Sequence, residues 1–226
     1  MRFALTIAVA AGFAGSAPSA AQAPDSISWT PELHMRYDQV AGTAVSPDGQ
    51  LVAYVVREPV MEGEKSEYLS HIWIVSADGS RNVQYTRGAK SASNPRFSPD
   101  GRLLAFTSSR SGGEEEDAES QVWVLPLAGG EAEQVTDAES GVGSFDWSPD
   151  GSRIAYTMTD PKTEEEKQAE KEKRDVILVN QNFKYAHLYV VPFAKDTEGK
   201  RPAKRLTEGE FHVTGWDWTP DGSAIV

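Results

Sequence analysis

A four-residue phrase recurs along this chain and limits what it can fold into: Ser46-Pro47-Asp48-Gly49, Ser98-Pro99-Asp100-Gly101, Ser148-Pro149-Asp150-Gly151 and Thr219-Pro220-Asp221-Gly222. Each phrase specifies a reversal. Proline in second place pre-sets φ for a type I turn, the Ser or Thr before it accepts backbone N–H bonds, and Asp suits the third place. Glycine then takes the left-handed conformation that returns the chain as a hairpin. Apolar Val45, Phe97, Trp147 and Trp218 precede the turns, and Ala53-Tyr54, Ala105-Phe106 and Ala155-Tyr156 follow them at a fixed distance. Matching flanks make this an internal repeat rather than a set of chance turns.

The repeat extends further. Ile72-Trp73-Ile74-Val75, Val122-Trp123-Val124-Leu125 and Leu188-Tyr189-Val190-Val191 form a second family of apolar runs, and Tyr85-Thr86, Val135-Thr136 and Leu206-Thr207 a third. Successive turns begin 52, 50 and 71 residues apart. A period of roughly 40–50 residues with four strands per unit is the sequence form of a β-propeller blade, whereas a helical solenoid needs helix-period stretches that are missing here. The expected fold is all-β: four-stranded antiparallel blades at about 43–87, 95–137 and 144–208, with a fourth begun at 213–226. Expected strands are 43–45, 51–56, 71–75 and 83–86, then 95–97, 103–108, 121–126 and 132–136, then 144–147, 153–158, 186–193 and 204–207. Residues 213–218 and 224–226 open the fourth blade, which makes about three and a half blades of an incomplete ring.

With 226 residues, a net charge of −12 and a pI near 4.8, the chain is poorly suited to nucleic acid or an anionic membrane surface. It has no cysteine, so disulfides and thiolate metal sites are excluded. His34, His71, His187 and His212 lack ligand-like spacing, and no metal or other cofactor is expected. Residues 1–21 read as an export signal: Arg2 near the amino terminus, an apolar run from Phe3 to Phe13, and small residues Ser19-Ala20-Ala21 at the cleavage site. The mature protein is then expected in a bacterial periplasm or outside the cell, with no membrane attachment. Residues 22–42 form a lead-in in which Thr30 caps a short helix beginning at Pro31 and Glu32.

In such blades the proline turns and the short connections at Ala77-Asp78-Gly79 and Ala128-Gly129-Gly130 share one face. The connections after each second strand, 57–70, 109–120 and 159–185, share the other, and all three are long and charged. The third contains Glu164-Glu165-Glu166-Lys167 and Glu170, which read as an exposed helix paired from Glu164 to Lys167 and from Glu170 to Arg174, or as a flap. Glu114-Glu115-Glu116-Asp117 reads as a solvated loop, with capture of a substrate amine as the sharper alternative.

No G-x-S-x-G elbow, P-loop, dinucleotide fingerprint or H-E-x-x-H string occurs in the sequence, and no catalytic residue is assigned. Asp48, Asp100, Asp150 and Asp221 are expected at the outer ends of hairpins in separate blades, as turn formers that do not converge. Trp73, Trp123 and Tyr189 are expected to pack blades.

Taken together, the leader, Thr30-Pro31-Glu32-Leu33, Val45 with its turn and Leu51-Val52-Ala53-Tyr54 resemble the N-terminal region of bacterial prolyl oligopeptidase family serine peptidases, nearest the dipeptidyl-peptidase and acylaminoacyl-peptidase branch. His71-Ile72-Trp73-Ile74-Val75, Leu104-Ala105-Phe106-Thr107-Ser108-Ser109-Arg110 and His187-Leu188-Tyr189-Val190-Val191 extend the likeness over about residues 28–226. The resemblance implies a propeller capping a C-terminal α/β-hydrolase domain that lies outside this chain. A Ser–Asp–His triad there would cleave short peptides, and the propeller would restrict access. No triad position falls in this chain. Glu114 to Glu116 and Glu164 to Glu166 lack the aromatic flanks of the family's amine-binding glutamates. The expected partners are peptide substrates and that hydrolase domain, with homo-oligomerisation left open. Two alternatives remain: a non-enzymatic Tol-type propeller that binds proteins, and a propeller joined to a metal-dependent amidohydrolase.

Overall fold

The structure, a computed structural model, describes Thr30, Leu33 and residues 36–62, 65–110, 118–172 and 182–226. The expected leader at 1–21 lies outside the described residues. In the N-terminal unit, Met1–Met35, the Leu33 N–H donates to Thr30 Oγ1 (3.1 Å), the bond expected of a capping threonine. Among the described residues, the second unit, Arg36–Val226, holds three separate four-stranded antiparallel sheets.

The first sheet comprises β1 (Gln39–Val45), β2 (Leu51–Glu62), β3 (Lys65–Ser76) and β4 (Asn82–Gln84). The second comprises β5 (Ala92–Phe97), β6 (Leu103–Ser108), β7 (Gln121–Pro126) and β8 (Glu133–Gln134). The third comprises β9 (Phe145–Trp147), β10 (Arg153–Thr159), β11 (Ala186–Pro192) and β12 (Lys204–Arg205), with one helix, α1 (Glu164–Lys171), between β10 and β11. Strands are neighbours in chain order in every sheet, as a meander of tight turns dictates. The sheets do not close on one another, and the fold is that of an incomplete β-propeller.

Two cores hold the blades together. Ala53, Val55, Ile72 and Ile74 of the first blade bury against Phe97, Leu104 and Phe106 of the second. Ala105, Val122 and Val124 of the second bury against Phe145, Trp147, Ile154 and Tyr156 of the third. Leu104 and Phe106 therefore serve one core and Ala105 the other. Alternate residues of β6 point to opposite faces, and both faces are covered. This is why the second strands read as unbroken apolar runs. Burying each large side chain contributes about 1.5–3 kcal/mol.

Two expectations are corrected. Residues 57–70 are not a loop: β2 and β3 remain paired from Leu51↔Ser76 out to Glu62↔Lys65. Charged Arg57-Glu58 and Pro59 signal a break in sequence, but a two-stranded arm needs pairing rather than burial. Its outer part is also held by the Arg57 guanidinium, 4.7 Å from the centre of the Tyr68 ring. The fourth blade is less than two strands. It consists of one bridge, Trp218↔Ile225, flanked by two hydrogen bonds exchanged between Asp217 and Val226 (both 2.9 Å).

Candidate functional site

The proline turns are bonded as their residue types require. In the first, the Gly49 N–H reaches the Ser46 carbonyl (2.8 Å), Ser46 Oγ donates to Asp48 Oδ1 (2.6 Å), and Gln50 N–H donates to the same carboxylate (3.0 Å). Ser46 Oγ in turn accepts the Leu51 N–H (2.9 Å). Asp100, Asp150 and Asp221 repeat the pattern. Ser76-Ala77-Asp78-Gly79 is a fifth copy without proline, at the β3–β4 connection. The Ser or Thr hydroxyl holds Asp78 and Asp221 down at about 2 and lowers Asp48, Asp100 and Asp150 likewise. These carboxylates are committed to their own turns.

The turns of successive blades also touch one another. A Cβ on Gly101 would stand 3.7 Å from Pro47 Cδ, one on Gly151 3.5 Å from Pro99 Cδ, and one on Gly222 3.4 Å from Pro149 Cδ. Each proline ring therefore lies against the glycine of the next turn.

A second repeated device explains the recurring threonines. Thr86, Thr136 and Thr207 accept the N–H of Ile72, Val122 and Leu188 through their hydroxyls (2.8, 2.9 and 3.0 Å). In the second blade Thr136 donates onward to Gln121 Oε1 (2.8 Å); in the third, His187 Nδ1 stands 3.2 Å from Thr207 Oγ1. His187 Nε2 lies 3.8 Å from Asp160 Oδ2. Thr207, His187 and Asp160 thus have the residue types of a hydrolytic triad. Full burial of His187, the sheet bond that occupies the hydroxyl, and Gln121 at the equivalent place make the arrangement architectural.

Between the first and second blades a cleft of about 440 Å³ is lined by Tyr85, Arg87, Phe106, Arg110, Trp123 and Glu131, among others. The Arg110 guanidinium lies 5.0 Å from the centre of Phe106 and 5.7 Å from that of Trp123, and Nε is held by Ser108 Oγ (3.2 Å). Its Nη2 is buried without a hydrogen-bond partner, and burial lowers the pKa of the group. Aromatic walls and a guanidinium suit a carboxylate or a peptide carbonyl.

The α1 segment is anchored. Thr163 and Glu166 form a reciprocal capping box. Lys167 Nζ pairs with Glu139 (2.7 Å) and, as expected, with Glu164 (3.0 Å), and Lys184 Nζ with Glu166 (2.6 Å). Glu170 pairs with Lys162 (2.7 Å); Arg174, its expected partner, lies outside the described residues. So do His34 and the Glu114 to Asp117 run.

Trp123 packs against the core between the first two blades, while Tyr189 stacks on Tyr156 with ring centres 5.5 Å apart. The structure does not gather His71, His187 and His212 at one centre: among the described residues no cluster of His, Asp and Glu could hold a metal ion. Sequence reading missed Asp146. It stands 4.0 Å from Arg96, and its pKa is raised by burial and by Asp217, with the Trp147 N–H and Arg96 opposing. The signal was available, since Arg96, Asp146 and Asp217 each stand two places before a turn.

Comparison with known proteins places these features. Over 67 residues the chain is 45% identical to an uncharacterised peptidase, YuxL, of Bacillus subtilis, covering 30% of this chain and 10% of that protein. Over 97 residues it is 31% identical to dipeptidyl-peptidase 5 of Porphyromonas endodontalis, covering 43% and 14%. The fold matches an acylaminoacyl peptidase from Pyrococcus horikoshii with a TM-score of 0.53 at 22% identity, covering 79% of this chain and 27% of that one. The chain thus spans well under two thirds of the length of these relatives, and its likeness is to the propeller portion of prolyl oligopeptidase family peptidases. The model of the TolB beta propeller domain, PD40, matches residues 34–184, more than half of the chain, and the chain belongs to that family.

Proposed function

We propose that this chain is the propeller portion of an exported serine peptidase that hydrolyses short peptides through a Ser–Asp–His triad in an α/β-hydrolase domain outside the present residues. The observation that carries this reading is the 45% identity over 67 residues to a protein named as a peptidase. The role assigned to the propeller is to bind and admit peptides. The cleft beside Arg110 and the anchored charged segment at α1 give it polar and aromatic surface for a peptide backbone. Export rests on the leader-like residues 1–21, and peptide chemistry on the named relatives.

The test is to express the intact reading frame and treat it with a serine-directed phosphonate. One labelled serine in a G-x-S-x-G context is expected; absence of any labelled serine defeats the reading. The family's name favours a second reading, a non-enzymatic propeller that binds proteins. Further blades followed by no hydrolase sequence would establish it.

A further inference from the structure

We propose that the cleft between the first two blades holds an extended acidic peptide that carries an aromatic side chain. The inference rests on the reading above only for the use of this cleft by peptides.

The next junction along the chain shows what such a cleft accepts. Between the second and third blades, the β11–β12 connection at 193–203 reaches back across the gap. Phe193 stands edge-on to Trp147 with ring centres 5.2 Å apart, and the Arg201 guanidinium lies over its ring at 5.7 Å. Arg201 Nη1 donates to Glu133 Oε1 (3.1 Å) and to the Gln134 carbonyl (3.2 Å) of β8, and Lys195 Nζ pairs with Glu133 (2.6 Å). One aromatic ring and two cations thus fill that junction against an acidic wall.

The first junction is built differently. The equivalent connection, 127–132, is shorter and turns on Gly129 and Gly130; a Cβ on Gly129 would meet nothing within 4 Å. Among the described residues it makes no hydrogen bond or ion pair with the outer strand of the first blade. The cleft of about 440 Å³ adjoins a second of about 190 Å³ along Tyr85, Leu125 and Gly130. The two make a groove of the size that takes a peptide segment.

Its charge is reversed. Counted along the repeat, Arg87 stands where the second blade has Asp137, Arg110 where the third has Asp160, and Val83 where the second has Glu133. Two guanidiniums therefore line the groove against one exposed carboxylate, Glu131. Burial is the one cause of the lowered Arg110 pKa, with no carboxylate opposing it. The filled junction sets cations of its filling against Glu133. This one carries the cations on its own walls, so complementarity calls for carboxylates on the occupant. Tyr85, Trp123 and Leu125 supply apolar walls for its ring.

The experiment uses the intact polypeptide, treated with the phosphonate so that a reactive serine cannot consume the probe. The probe is a fluorescein-labelled peptide, Asp-Glu-Phe-Pro-Glu-Asp, followed by anisotropy. Binding should weaken about tenfold in Arg87→Glu, and less in Arg87→Gln, which removes the charge without reversing it. Lysine in place of the peptide's acidic residues should weaken it similarly, while Lys200→Glu, on the exposed β11–β12 connection, should change nothing. Equal affinity in Arg87→Glu, or no binding by a folded natural chain, overturns the proposal. So does binding that appears only when Glu114→Gln, Glu115→Gln and Glu116→Gln are combined, which would assign the cleft to the chain's own acidic run. A labelled serine without peptide binding would end this inference and leave the peptidase reading standing; binding without a labelled serine would do the reverse.

Discussion

The buried N–H of Ile72 donates to Thr86 Oγ1 across 2.8 Å, so a side chain of the outer segment completes the hydrogen bonding of β3 where β4 has ended. Val122 with Thr136 and Leu188 with Thr207 repeat the relationship. Replacing Thr136 by Val keeps the shape but orphans the Val122 N–H, while Gln121 Oε1 keeps the Ala138 N–H (2.8 Å). The expected cost is about 1–3 kcal/mol for the orphaned group, read as a lower urea midpoint with little change in slope. Thr136→Ser should restore most of it. Equal stability of the Val and Ser variants would mean that the bond contributes nothing.

The turn carboxylates predict how the fold responds to acid. Asp78 and Asp221 are held at about 2, below the ordinary 3.8, first by the hydroxyl of Ser76 or Thr219 and then by backbone N–H groups. Below 3.8 the unfolded chain binds more protons than the folded one, so this stabilisation is fully present above 3.8 and is lost as pH falls toward 2. Circular dichroism across that range should show acid unfolding that begins at higher pH in Ser76→Ala and Thr219→Val. An unmoved acid midpoint in both variants would remove the hydroxyl from the account.

Glu166 serves α1 twice, accepting the Thr163 N–H (2.6 Å) to close the capping box and pairing with Lys184. Glu166→Ala removes both, and losing a cap costs about 0.5–2 kcal/mol. Amides of 167–171 are therefore expected to exchange roughly 2–30 times faster, with β10 and β11 unchanged. Lys184→Met should produce a smaller change, since it leaves the capping box of Thr163 and Glu166 in place. Exchange that stays slow in Glu166→Ala would show that the helix is held by something other than its cap.

Much of this architecture was legible because the repeat states it. Turn chemistry at Pro47, Pro99 and Pro149, the apolar flanks and the recurring threonines placed strands in three blades with small errors at their ends. Two kinds of feature were hidden. The extended arm of β2 and β3 was missed because Arg57, Glu58 and Pro59 resemble loop residues, and pairing beyond the core leaves no burial pattern to read. The lock from Pro47 to Gly101 joins residues about fifty positions apart, so only the stacking of blades brings them together. The cleft beside Arg110 was hidden for the same reason, since its walls come from the first and second blades.

His71 offers a test that separates the blades' polar locks. It is buried at the start of the core segment of β3, the place that Gln121 holds in β7. Burial lowers its pKa below the ordinary 6.5; Glu58 and the Gly88 carbonyl oppose the shift, and Arg110 adds to it. Below pH 6.5 the unfolded chain therefore takes up the proton more readily than the folded one. The stability that depends on a neutral ring is full above that pH and is lost as pH falls through the lower folded value. His71→Gln puts the second blade's own solution into the first and removes the titrating group. Urea midpoints measured from pH 7.5 down to about 5 should fall for the natural chain and stay level for His71→Gln, with both declining together once the turn carboxylates protonate. Parallel curves over the upper range would mean that His71 protonates in place without disturbing the packing of the first blade.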